Sequence, residues 1–104
     1  MKIIKVSTNS RTAAVAGAIA AILREQKLAE VQSIGAGAVN QAIKSIIIAK
    51  SYLAKNDLGI VLVPEFVDVD IDGKTRTAIK LTIMTQPVLQ EQNSALPVEW
   101  TVCT

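Results

Sequence analysis

Histidine is absent from these 104 residues, cysteine and tryptophan occur once each, and aromatic side chains make up only 3% of the chain. Without imidazole there is no ordinary general base near neutral pH and no member of the commonest class of metal ligand. Ser/His and Cys/His nucleophile pairs are excluded, no catalytic residue can be named, and neither enzyme activity nor a cofactor or metal is expected. The single thiol, Cys103, permits no internal disulfide and agrees with a reducing compartment. No apolar run reaches the roughly 20 residues of a membrane helix; the longest, Thr12 to Leu23, lies between Arg11 and Arg24. The opening Met1-Lys2-Ile3-Ile4-Lys5 carries a second charge where a signal peptide needs its apolar stretch, so a cytoplasmic, non-exported protein is expected.

What is present is aliphatic. Half of the residues are apolar and 19% are charged, which suits one compact domain and leaves no room for two. A net charge of +2 demands no acidic partner, but the charges are unevenly placed. Residues 1–55 hold eight basic side chains (Lys2, Lys5, Arg11, Arg24, Lys27, Lys44, Lys50, Lys55) against Glu25 and Glu30, whereas residues 56–104 hold Lys74, Arg76 and Lys80 against seven acids. Whether the cations share a surface depends on the fold.

A short aliphatic strand, Lys2 to Val6, stops at the turn and cap residues Ser7-Thr8-Asn9-Ser10. Val15, Ile19, Ile22 and Leu23 then recur at helical spacing as far as Arg24-Glu25-Gln26-Lys27. Ala13, Gly17 and Ala21 form a separate ladder of small residues, whose glycine suggests close approach of a neighbouring backbone. A second strand covers Ala29 to Ile34, and Gly35-Ala36-Gly37 turns the chain into a second helix from Ala38 to Lys55. Its inner face reads Val39, Ile43, Ile46, Ile47 and Leu53, with Ala42 and Ala49 beside them. Ile48 and Tyr52 form another apolar face and are assigned to a subunit contact.

The third strand begins with the aliphatic run Leu58 to Val63 and continues beyond Pro64 in the alternation of Phe66, Asp68 and Asp70 against Val67, Val69 and Ile71. Pro64 favours a sheet edge or a bulge, and Asp72-Gly73 marks a two-residue hairpin turn. That turn sets Ile71 opposite Lys74, Val69 opposite Arg76 and Glu65 opposite Lys80 in a fourth strand, Thr75 to Thr85. Phe66, Ile79, Leu81 and Ile83 then share the core side. The order is β-α-β-α-β-β: an α+β two-layer sandwich with a mixed four-stranded sheet, strands one and two parallel, and both helices on one face. The domain covers residues 1–86. Residues 87–104 form a C-terminal tail, where alternation at Val98, Trp100 and Val102 suits an added strand or docking on a partner, with partial disorder as the other possibility. Trp100 is assigned to anchoring that tail.

Val6-Ser7, the helical Val15 to Ala20, the run Ile34-Gly35-Ala36-Gly37-Ala38-Val39-Asn40-Gln41-Ala42-Ile43-Lys44, and Ile71-Asp72-Gly73 with Arg76 to Leu81 resemble the stage V sporulation protein S family over about residues 1–86. That family is similar in turn to the Alba-like group, many of whose members dimerise and bind DNA or RNA. The resemblance implies a bacterial developmental regulator, a homodimer or higher homo-oligomer, that grips nucleic acid at three places. These are the loop after strand one (Ser10, Arg11), the start of helix two (Asn40, Gln41, Lys44) and the hairpin (Lys74, Arg76). Where Alba proteins often place basic residues at the start of helix two, this chain has Gly37-Ala38-Val39, and Asp68, Asp70 and Asp72 surround the hairpin tip.

Phosphate binding needs cations beside free backbone donors; the alternative for the same residues is a merely solvated positive face. Gly35 and Gly37 begin a dinucleotide-type pattern whose third glycine position holds Asn40, so they read as a tight turn. Asp68-Val69-Asp70-Ile71-Asp72-Gly73 copies half of a calcium loop, but the twelfth position, which needs a bidentate carboxylate, is Ile79. Solvated acids that discourage edge aggregation fit that hairpin better. The alternative function is a protein-interaction or scaffolding module acting through its dimer surface and tail.

Overall fold

The computed structural model describes residues 3–87. Residues 88–104, and with them the alternation at Val98 to Val102 and the Cys103 thiol, lie outside the described residues. Strand β1 (Ile3–Val6) leads into helix α1 (Thr12–Gln26), strand β2 (Leu28–Ser33) and helix α2 (Ala36–Leu53). A 3-10 turn (Ala54–Asn56) then precedes the long strands β3 (Leu58–Ile71) and β4 (Lys74–Pro87). The expected β-α-β-α-β-β order is the observed one. The sheet order is β1-β2-β4-β3, with β1 and β2 parallel and the other pairs antiparallel, so β3 with its Pro64 stands at an edge.

The hairpin register follows from its turn. Asp72 and Gly73 both have positive φ, 50° and 78°, the backbone of a two-residue turn whose twist matches the flanking strands. Ile71 therefore pairs with Lys74, Val69 with Arg76 and Glu65 with Lys80, as the sequence predicts. The last pair closes an ion contact of 3.1 Å between Glu65 Oε1 and Lys80 Nζ.

The core fills the space between one sheet face and the two helices. Ile19 and Leu23 of α1, Leu53 of α2, Val31 of β2 and Ile83 of β4 are fully buried. Each such side chain removed from water is worth about 1.5–3 kcal/mol. The other buried residues of the two packed helices are mostly small, Ala16 and Ala20 on α1 and Ala38, Ala42, Ser45 and Ala49 on α2. Short side chains permit close interaxial approach. The buried Ser45 hydroxyl is satisfied by donating to the Gln41 carbonyl at 2.7 Å.

Three expectations need correction. The inner face of α2 is rotated towards this alanine and serine stripe, which leaves Ile47 at 61% exposure on the outside. Helical spacing alone does not reveal that small residues occupy the centre of the contact. Gly17 is exposed, and a Cβ built there meets nothing within 4 Å, so no neighbouring backbone requires it. Phe66 does lie on the same sheet face as Leu81 and Ile83, but at 78% exposure it is no core residue. The β2–β4 ladder ends at Ser33 opposite Ile79, while the hairpin continues beyond it as an arm.

Candidate nucleic-acid interface

Chain direction brings the candidate residues to one end of the sheet. β1 and β2 are parallel and end at Val6 and Ser33, which pair with each other, so the turns leading into both helices leave the sheet side by side. Because Ser33 pairs with Ile79, residues Lys74 to Ala78 of β4 project past that same end. Ser10, Arg11, Asn40, Gln41, Lys74 and Arg76 thus stand at this rim, and Lys44 follows Asn40 by one turn along α2.

The loop after β1 is fixed internally and against α2. The Ser7 amide donates to Ser10 Oγ at 2.9 Å, and the Ser10 amide donates to the Ser7 carbonyl at 3.1 Å. The Gln41 side chain donates from Nε2 to the Ser10 carbonyl, also at 2.9 Å. Gly37 lies so close to the loop that a Cβ on it would stand 2.9 Å from Thr8 Oγ1. Arg11, the N-cap residue of α1, is exposed, as are Asn40 and Lys44, while Ser10 and Gln41 are half-buried by their mutual contact.

Neither helix start has a side-chain cap. Gly35, with φ of 91°, turns the chain into α2 and offers no side chain to bond its leading amides. The first N–H groups of a helix lack intrahelical acceptors and carry the positive end of the helix dipole. There are no acidic residues in the first turn of α1 or α2 to neutralise that end.

Strand alternation divides the hairpin arm between two faces. Lys74 and Arg76 stand on the sheet face without helices, with Val69, Ile71 and Glu65. Asp68 and Asp70 stand on the helix-bearing face, where Thr77 Oγ1 donates to Asp68 Oδ1 at 3.3 Å and Thr75 Oγ1 donates to Asp70 Oδ1 at 2.9 Å. The carboxylates therefore face away from Lys74 and Arg76. The arm and the loop border a common hollow of about 540 Å³ whose walls include Lys5, Ser7, Thr8, Val69 and Ile71. The rim cations consequently form two groups, Arg11 and Lys44 in the helical layer and Lys74 and Arg76 across the sheet.

The basic excess of the first half of the chain does not gather in one place. Arg24, Lys27, Lys50 and Lys55 lie towards the other ends of the helices. There Arg24 joins the helix ends by donating from Nε to Asn56 Oδ1 at 3.3 Å and from Nη2 to the Tyr52 carbonyl at 3.4 Å. Of the two residues assigned to a subunit contact, Tyr52 is exposed at 37%, whereas Ile48 is half-buried and packs on the core. Ile47 is the exposed neighbour that the sequence pattern assigns inward. Phe66, which strand alternation assigns to the core side, stands exposed at this rim, and the buried Ser33 hydroxyl beside it carries no signal in the sequence.

No helix of the described residues is long and apolar enough to cross a membrane. The family model described as stage V sporulation protein S (SpoVS) matches residues 2–86. The fold agrees with the Alba-like grouping that the sequence blocks suggest. Since that match runs through the two helices, the loop, the hairpin and the whole of the rim, the chain belongs to the stage V sporulation protein S family and has a sporulation-related role.

Proposed function

We propose that this protein is a non-enzymatic, cytoplasmic regulator that binds DNA or RNA as an Alba-like homodimer. The observation that supports this most is the junction of the Ser10–Arg11 loop with the start of α2 through the Gln41 bond. It holds the Arg11 guanidinium beside uncapped helix amides, a combination suited to phosphate oxygens. Arg11, Lys44, Lys74 and Arg76 contact phosphates in this reading, while Asn40 and Gln41 supply neutral hydrogen bonds. Phosphate contacts position a nucleic acid without specifying its sequence, so base discrimination is low. The dimer uses the outer surface of α2, where Ile47 and Tyr52 are exposed.

An electrophoretic shift series on mixed-sequence DNA and RNA tests the reading. A retarded band at low salt should weaken steeply towards physiological ionic strength. Replacing both Arg11 and Arg76 by alanine should weaken binding on every sequence and lower the salt slope by about 2, one for each lost phosphate contact. Absence of any shift at low salt and high protein concentration would favour the protein-interaction module.

A further inference from the structure

A groove of about 620 Å³ lies between the start of α2 and the hairpin arm, bordered by Gly35 and Asn40 on one side and Phe66 and Thr77 on the other. Three independent features meet in it. At one end are the uncapped amides that follow Gly35. At the other is Phe66, an aromatic ring kept at 78% exposure on an edge strand. Between them, Ser33 is 1% exposed, and its Oγ is the one buried side-chain polar atom among the described residues that has no hydrogen-bond partner. Its side chain stands on the same sheet face as Ile79 and Phe66, which turns the hydroxyl towards the groove. Leaving such a group unpaired is costly, and the buried Ser45 hydroxyl shows how easily this fold satisfies one locally.

We propose that this groove takes one unstacked nucleotide of a single strand, with its phosphate at the α2 N-terminus and its base against Phe66. The inference rests on the nucleic-acid reading above and narrows it from any polyanion to single-stranded substrate. The groove is polar in the required sense. Helix amides and their dipole favour an anion at the α2 end. The arm end carries Asp68, bonded by Thr77, on the same face and repels one. The phosphate of that nucleotide is thereby oriented towards α2 and its base towards the helix-bearing face of the arm, while Lys74 and Arg76 stand on the arm's other face. Val39, Ile43 and Ile79 supply apolar walls for a flat ring, and Asn40, Thr77 and the orphaned Ser33 hydroxyl supply the few polar contacts typical of a small-ligand site. A base held in a duplex cannot reach Phe66 without first being unstacked and unpaired.

The test uses fluorescence anisotropy with a 5′-labelled mixed-sequence 12-mer and its duplex, at low salt, on the full chain. The wild type should bind the single strand more tightly than the duplex. Phe66→Ala should weaken single-strand binding roughly 5- to 100-fold, the loss of one base stack, with little change on duplex, while Phe66→Trp retains the preference. Phe66 is exposed, so its replacement leaves the fold intact, which circular dichroism checks. Ser33→Ala removes an unsatisfied hydroxyl and should leave folding stability equal or higher while weakening single-strand binding several-fold. Unchanged single-strand affinity in either variant, or an equal loss on duplex, overturns the groove assignment. If Arg11→Ala with Arg76→Ala still weakens binding in that case, the phosphate-backbone reading stands alone. No binding of either oligonucleotide overturns both.

Discussion

Gln41 and Ser10, 31 positions apart, are joined by a hydrogen bond of 2.9 Å from a half-buried amide to a backbone carbonyl. The bond attaches the loop that carries Arg11 to the first turns of α2. Gln41→Ala should cost about 0.5–1.5 kcal/mol of stability, the net worth of such a bond. It should also speed amide exchange in residues 7–11 and reduce low-salt nucleic-acid affinity without touching a rim cation. Unaltered exchange in the loop would show that Gln41 does not hold it.

The contact between Thr8 and Gly37 predicts a coupling. Alanine is about 1 kcal/mol better than glycine inside a helix, but a Cβ at residue 37 would stand 2.9 Å from Thr8 Oγ1 and 3.2 Å from Thr8 Cγ2. Gly37→Ala should therefore stabilise the protein more in a Thr8→Ala background than in the wild type, by roughly 0.5–1.5 kcal/mol. Denaturant unfolding of the four proteins measures the difference, and identical effects in the two backgrounds would refute the contact.

Gly17 offers the opposite case. It is exposed in the middle of α1 with open space around its Cβ position. Gly17→Ala should raise stability by about 0.5–1 kcal/mol through helix propensity and a less flexible unfolded chain. Urea unfolding should show a higher midpoint at an unchanged m-value. A loss of stability would mean that a partner needs the bare backbone.

Tyr52 tests the proposed α2 interface. Arg24 bonds its backbone carbonyl, not its phenol, so Tyr52→Glu leaves that link in place. The variant should remain folded and shift its light-scattering mass towards the monomer. An unchanged mass would remove this surface from the dimer.

Much of the fold is legible because its cues are local. The Asp72-Gly73 turn sets every hairpin pair through backbone chirality alone, and the alternation of 3.6- and 2-residue periods places the helices and strands. A right-handed crossover then leaves a single arrangement for β1, α1 and β2. That Ser10, Arg11, Asn40 and Gln41 fall at one end of the sheet is legible in part, because parallel strands end on the same side.

Which side of each element is covered, and how far, comes from packing between elements. Strand alternation places Phe66 on the face of Leu81. Only the stopping of β2 at Ser33 left its ring exposed and the Ser33 hydroxyl without a partner. The same holds for Ile47, displaced from the interior by an alanine stripe that allows α1 to come close. Periodicity reports the direction of a side chain, but burial depends on the length and approach of neighbouring elements, which no local spacing encodes.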